Sequence, residues 1–286
     1  MDLNKHFIKT KRPCADGFRW FLKHHHAGAD YQPLLDDLVR AGRTGDACWL
    51  LEQFGPTDAV LEVDAIDAEA LVFAGSLLVH GGVEVETVLA TGGGIRAGGG
   101  IRTGQALASG GDIRAGGAIR CGGALKAGGD ICAEWNIAAV AGLRAAGNVR
   151  AGWDIDCGGA ADVGGNCIAG HGIAFGAAAR CGRGLRAGES IECEAAIHAG
   201  HGIEAGGDIV CRDHIEARWG IRAGGDMRSA AAIVAGESLQ AQRIEAGEGY
   251  GVYAGLAVCE DSWAQCAQVR CAHRPVRLFS GHWERP

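Results

Sequence analysis

A six-residue unit, repeated without a break from Gly94 to Leu239, constrains this chain more than any other feature. The cleanest copies read Ile113-Arg114-Ala115-Gly116-Gly117-Ala118 and Ile221-Arg222-Ala223-Gly224-Gly225-Asp226. From Ile95 to Leu239 there are 25 units in one register. The first position is Ile, Leu, Val or Met in 22 of them, the third is small in 23 and the fourth is Gly in 17. A fixed short period over this length means stacked repeats. Position two is usually charged, as at Arg96, Arg114, Lys126, Arg150, Glu192 and Glu204. In–out–in alternation over three residues is the period of a strand, and six residues do not keep one face of a helix. The Gly that follows is expected to supply the positive φ of a tight corner.

A second period lies on the first. The residue before the core position is Ala or Gly every 18 residues, at Ala106, Ala124, Gly142, Ala160, Ala178 and Ala196. On the other two faces the same place carries Asp112, Asp130 and Asn148, or Asn136 and Asp154. Three hexads thus make one triangular coil, rising ~4.8 Å. The chain reads as mainly β: a three-faced parallel β-helix (β-solenoid) of about 18 residues per coil and ten to eleven coils, with a small N-terminal α-helical cap. Three units lack a large first residue (Ala161, Cys167, Ala179), and two in the same region have a large third residue, Val163 and Phe175. Close-packed cores conserve volume, so Phe175 is expected to be buried, filling space left beside Ala179.

Three regions follow. Residues 1–57 carry helically spaced apolar residues in three groups: Phe18, Trp20, Phe21; Leu34, Leu35, Leu38, Val39; and Trp49, Leu50, Leu51, Phe54 before the Gly55-Pro56 stop. They read as three helices covering the first coil, since exposed sheet ends invite edge-to-edge association. The hexads occupy 58–260, and 261–286 abandon the period as a closing segment. No run of about 18 apolar residues exists, so no membrane span is expected. The start, Met1-Asp2-Leu3-Asn4-Lys5, lacks an apolar signal core, which points to the cytoplasm. Cys121, Cys157, Cys181, Cys193 and Cys211 share the inward third position and read as reduced, compact hydrophobes. Cys193 and Cys211 are the one pair whose stacking would allow a bridge.

Residues 58–94 hold seven acids and no Lys or Arg, 95–150 seven Lys or Arg against three acids, and 151–260 eight against fifteen. The basic belt places Arg96, Arg114 and Arg150 on one face and Arg102 and Arg120 on the next. It is either a solvated ladder or a surface for an anionic partner. A net charge of −7 makes nucleic acid an unexpected partner. Trp135, Trp153 and Trp219 fall at corners, where exposed aromatics suit a protein partner. His24-His25-His26 reads as an exposed polar tract, and the spacings of Cys259, Cys266, Cys271 and His273 do not match paired zinc motifs. No cofactor, metal or catalytic residue is expected. A hexapeptide-repeat acyltransferase is the enzyme alternative, with His171, His198, His201 and His214 as candidates by residue type alone. The acids of 58–94 and 151–260 motivate a second alternative, an acidic DNA mimic.

At the Ile-x-Ala-Gly repeat the chain resembles bacterial β-solenoids, especially the bactofilin, or polymer-forming cytoskeletal, family, over roughly residues 59–258. The resemblance implies a three-faced, right-handed parallel β-helix that works as a structural element without cofactor or catalysis. Bactofilins have short flexible tails, whereas this chain has a helical head and an apolar closing segment. If both ends are covered, head-to-tail polymerisation is blocked. The expected function is a non-enzymatic scaffold or protein-interaction solenoid, acting on a protein partner or on a second copy.

Overall fold

The computed structural model describes residues 2, 3, 5–25 and 28–285; His26 lies outside them. Three parallel sheets form a solenoid of about twelve turns. The first sheet has 13 strands, from Val60–Val63 to His282–Glu284, and the second has 11, from Ile66–Ala68 to Ile244–Glu245. The third has 12, from Leu71–Phe73 to Leu278–Ser280. Register is one coil per 18 residues: Ile113 pairs with Ile95 and Ile131, and Arg102 with Arg120. The count exceeds ten to eleven because the closing segment, although it loses the hexad, keeps the ladder. Gln268–Arg270 pairs in parallel with Leu239–Gln240, and His282–Glu284 pairs with Gln268–Arg270.

Positions one and three point inward, as at Ile95 and Ala97 around the exposed Arg96, and build one continuous core. Phe175 is 2% exposed, between Cys157 and Cys193 on the second sheet, while Ala161 and Ala179 stack on the third. The burial expected of Phe175 is therefore met. The positive φ expected of the glycines is not: among the described residues no corner glycine between Ile95 and Leu239 has a φ in the left-handed region. Close approach is the reason instead. A Cβ on Gly116 would sit 2.2 Å from the Gly98 carbonyl oxygen of the coil before.

Corner chemistry accounts for the second period. At the corner entering the first sheet, the Asp130 N–H donates to Asp112 Oδ1 (2.9 Å), Asn148 N–H to Asp130 Oδ1 (2.7 Å) and Asn166 N–H to Asn148 Oδ1 (2.9 Å). A second ladder enters the second sheet, where Gly172 N–H donates to Asp154 Oδ1 and Asp226 N–H to Asp208 Oδ1. The Ala/Gly corner solves the same problem from inside. Thiols of Cys121, Cys157, Cys193 and Cys211 donate to the carbonyls of Ala124, Ala160, Ala196 and His214, three residues on. Ser229 does the same to Ala232. Those cysteines are thus corner donors as well as small core residues. All twelve cysteines are free, Cys193 and Cys211 included although they pair in register.

Among its described residues the head has four helices rather than three: α1 (Lys5–Thr10), α2 (Ala15–His24), α3 (Tyr31–Arg40) and α4 (Thr44–Phe54). The added α1 is six residues long, too short to show a periodic apolar face. Cys14 caps α2, its Sγ accepting from Gly17 N–H, and Gly55 ends α4 at φ 74°. The head does not sit squarely over the first coil. Its core continues into Val72, Ala74 and Ala90 on the outside of the third sheet, with Val88 and Ala108 packed against it. Elsewhere the outward middle position is mostly charged; here it is apolar at intervals of 18, which is what draws the helices to that face.

Candidate association surfaces

In each strand the first and third residues bond the following coil and the middle residue bonds the preceding one. Ile95 N–H donates to Asp112 O, whereas Gly98 N–H reaches back to Val79 O. In the first coil the groups that reach back have no coil to meet. On the third sheet the head supplies one: Gln32 Nε2 donates to Val72 O (3.0 Å), and Ala74 N–H donates to Gln32 Oε1 (2.8 Å). The equivalent groups on the other two sheets are the Glu62 and Asp67 carbonyls and the Asp64 and Glu69 N–H. These have no protein partner among the described residues.

The core is correspondingly unfinished there. Leu61, Val63, Ile66, Leu71 and Phe73, all at core positions, are only half-buried, and Val60 is 61% exposed. Asp58, Glu62, Asp64, Asp67 and Glu69 ring this front, all exposed, with no Lys or Arg in 58–73. The head thus caps one edge of three, and the front remains open.

The other end is different. Over the last strand of the second sheet runs the irregular segment from Cys271 to Arg277, tied down by Ala272 N–H to Gln242 O and by Val252 N–H to Arg277 O. It contains Pro275, a residue that blunts sheet edges. The first sheet continues beyond it to His282–Glu284, where Trp283 Nε1 donates to Cys271 O. Val276 is fully exposed and Phe279 is 64% exposed.

The residues singled out by sequence divide. Arg96 and Arg114 are neighbours on the first sheet, with Arg150 beyond Cys132, and Arg102 and Arg120 are neighbours on the second. Arg114 pairs with Asp112 (3.0 Å) and Arg102 with Glu84 (3.5 Å). Burial pushes the Cys132 thiol up, with Asp130 and Asp112 adding to the shift and Arg114 and Arg150 opposing it. Glu134 lines the same groove. These acids offset the arginine row, so it is not a strongly positive surface. Elsewhere cations and acids alternate between coils: Arg144 with Asp162, Arg186 with Glu204, Arg212 with Glu194.

Trp135 stacks on Trp153 (6.4 Å), which stacks on His171 (6.0 Å), along one corner. Trp219 lies on a different corner, face to face with His201 at 4.1 Å. The three tryptophans are exposed but make two sites. The histidines are dispersed: His171 pairs with Glu189 (3.4 Å), His198 with Glu216 (3.1 Å) and His214 with Asp213 (3.5 Å). Cys259 and Cys266 are exposed, while Cys271 is buried with its thiol on His273 O.

Sequence reasoning did not find the open front. Its signal was present in the acids of the first coil, which has no Lys or Arg between 58 and 73. Among the described residues no helix is long and apolar enough to cross a membrane. A family model described as the YdhT N-terminal domain matches residues 1–55, which is the helical head and none of the solenoid. No curated protein matches the chain, and no solved structure does.

Proposed function

We propose that this chain is a non-enzymatic structural scaffold of the bactofilin kind, a cytoplasmic rod that self-associates through its open first coil. One observation carries the reading: two sheet edges and a half-buried apolar core are left free at the front, while the third edge is capped from within the chain. Unpaired edges of this kind are templates for another strand. The dispersal of the four candidate histidines over separate coils and corners, rather than about one cavity, favours the non-enzymatic reading. The alternation of acids with arginines from coil to coil gives a DNA-mimic reading little support.

Sedimentation velocity over a hundredfold range of concentration tests this. The native chain is expected to shift to heavier species. Glu62→Pro removes a backbone donor that faces out of the front and no backbone bond within the solenoid; the one side-chain contact it deletes there is the exposed pairing of the Glu62 carboxylate with His80 (3.0 Å). It is expected to weaken association on the order of tenfold, about 1.4 kcal/mol, with thermal unfolding nearly unchanged. A native chain that stays monomeric throughout would end the self-association reading and leave the front to a different protein.

A further inference from the structure

We infer that the front of one copy seats on the tail of another, in a polar head-to-tail contact. This rests on the self-association reading above and names the surface that the front meets.

Charge is the first argument. The front carries Asp58, Glu62, Asp64, Asp67 and Glu69 with no Lys or Arg in 58–73, Glu62 being engaged by His80 (3.0 Å). The tail, from 268 to 285, carries Arg270, Arg274, Arg277 and Arg285, all exposed, against Glu284, which pairs with Arg270 (3.2 Å). Front against front would bring ten carboxylates together across a two-fold, with like charges facing each other. Front against tail joins opposite signs, which favours encounter and fixes orientation.

Edge chemistry is the second. The second sheet is blunted at the tail by the Pro275 segment, and the third is capped at the front by Gln32. Among the described residues only the first sheet is open at both ends, at Val60–Val63 and at His282–Glu284. A parallel pairing of these two strands would carry that sheet from one copy into the next.

Shape is the third. The first sheet has one strand more than the third and two more than the second, so the tail is a step that projects on the first sheet. At the front the projection is on the third sheet, where α3 places Gln32 against the strand edge. A step of one sense meets a step of the other. Val60 at the front and Val276 at the tail add exposed apolar surface. Because the contact is heterologous, it leaves a free front and a free tail and can continue into a filament.

The test is charge reversal, read by sedimentation at fixed concentration. Asp64→Lys with Asp67→Lys reverses the front, and Arg274→Glu with Arg277→Glu reverses the tail. Each pair alone is expected to weaken association at least about tenfold, and an equimolar mixture of the two should recover it: the tail-reversed copy offers a native front to the native tail of the front-reversed copy, and the two reversed surfaces are again opposite in charge. All four changes in one chain should restore association towards the native level, which loss of folding would not do. Native association should also weaken as NaCl is raised. Unchanged association after tail reversal, or association strengthened by salt, would overturn head-to-tail pairing while leaving self-association standing. No association of the native chain would remove both.

Discussion

Phe175→Ala is expected to lower the unfolding free energy by about 3–5 kcal/mol, the range for an aromatic ring deleted from a packed core. The ring is buried between Cys157 and Cys193 and precedes a unit whose core residue is Ala179, stacked on Ala161. Neither alanine can fill the space that the ring leaves. The companion variant makes the argument specific: Ala179→Ile restores the usual large first residue of the repeat. In the native background it should overpack and cost about 1–3 kcal/mol. Combined with Phe175→Ala, it should return a substantial part of the loss, giving a coupling of about 1 kcal/mol or more. Urea unfolding of the four proteins measures this directly. Strict additivity would mean that Phe175 and Ala179 do not share one volume.

The corner ladder carries the second large effect. Asn148 Oδ1 accepts from the N–H of Asn166 (2.9 Å) and from its Nδ2 (3.2 Å), while Asn148 Nδ2 donates to Asp130 Oδ1 (3.1 Å). Asn148→Ala removes these and leaves a half-buried backbone donor without its acceptor, so a loss of about 1–3 kcal/mol is expected. The amide of Asn166 should lose hydrogen-exchange protection more than amides several coils away. Asn148→Asp keeps the acceptor and copies what Asp130 and Asp112 already do one and two coils earlier. It should therefore cost much less than alanine. Equal losses for the two variants would show that the ladder is not what holds this corner.

The unevenness of what could be read has a physical origin. Strand, corner and coil length are local properties: side chains alternate with a period of two, and a coil closes every 18 residues, so the pattern along the chain is also the pattern in space. Arg96 beside Arg114, Arg102 beside Arg120 and Cys193 beside Cys211 all follow from counting alone. Phe175 was readable because a deviation in one hexad has its compensation in the next. Glycine was misread because one composition serves two needs, positive φ and close approach, and only the coil stacked beneath decides between them. The closing segment was legible as apolar, but not as a continuation of the ladder. Parallel pairing needs only strands at the right height, and residues 268–270 and 282–284 reach that height after detours of unequal length.

By itself the sequence determined the solenoid, its three faces, its register and its buried column, because each depends on spacing along the chain. Its composition also marked the acidic stretch that forms the front, whereas the arginines of the closing segment were not read as a surface. Tertiary structure alone decided where the helical head lies and what it leaves uncovered. The head could have closed the first coil or lain along a side. Val72, Ala90 and Ala108 present an apolar strip on the outside of the third sheet, and Gln32 meets only that sheet's edge. Docking on that face buries this strip against the helices. The cost is two strand edges left open, and it is at these edges that the association of this protein is to be tested.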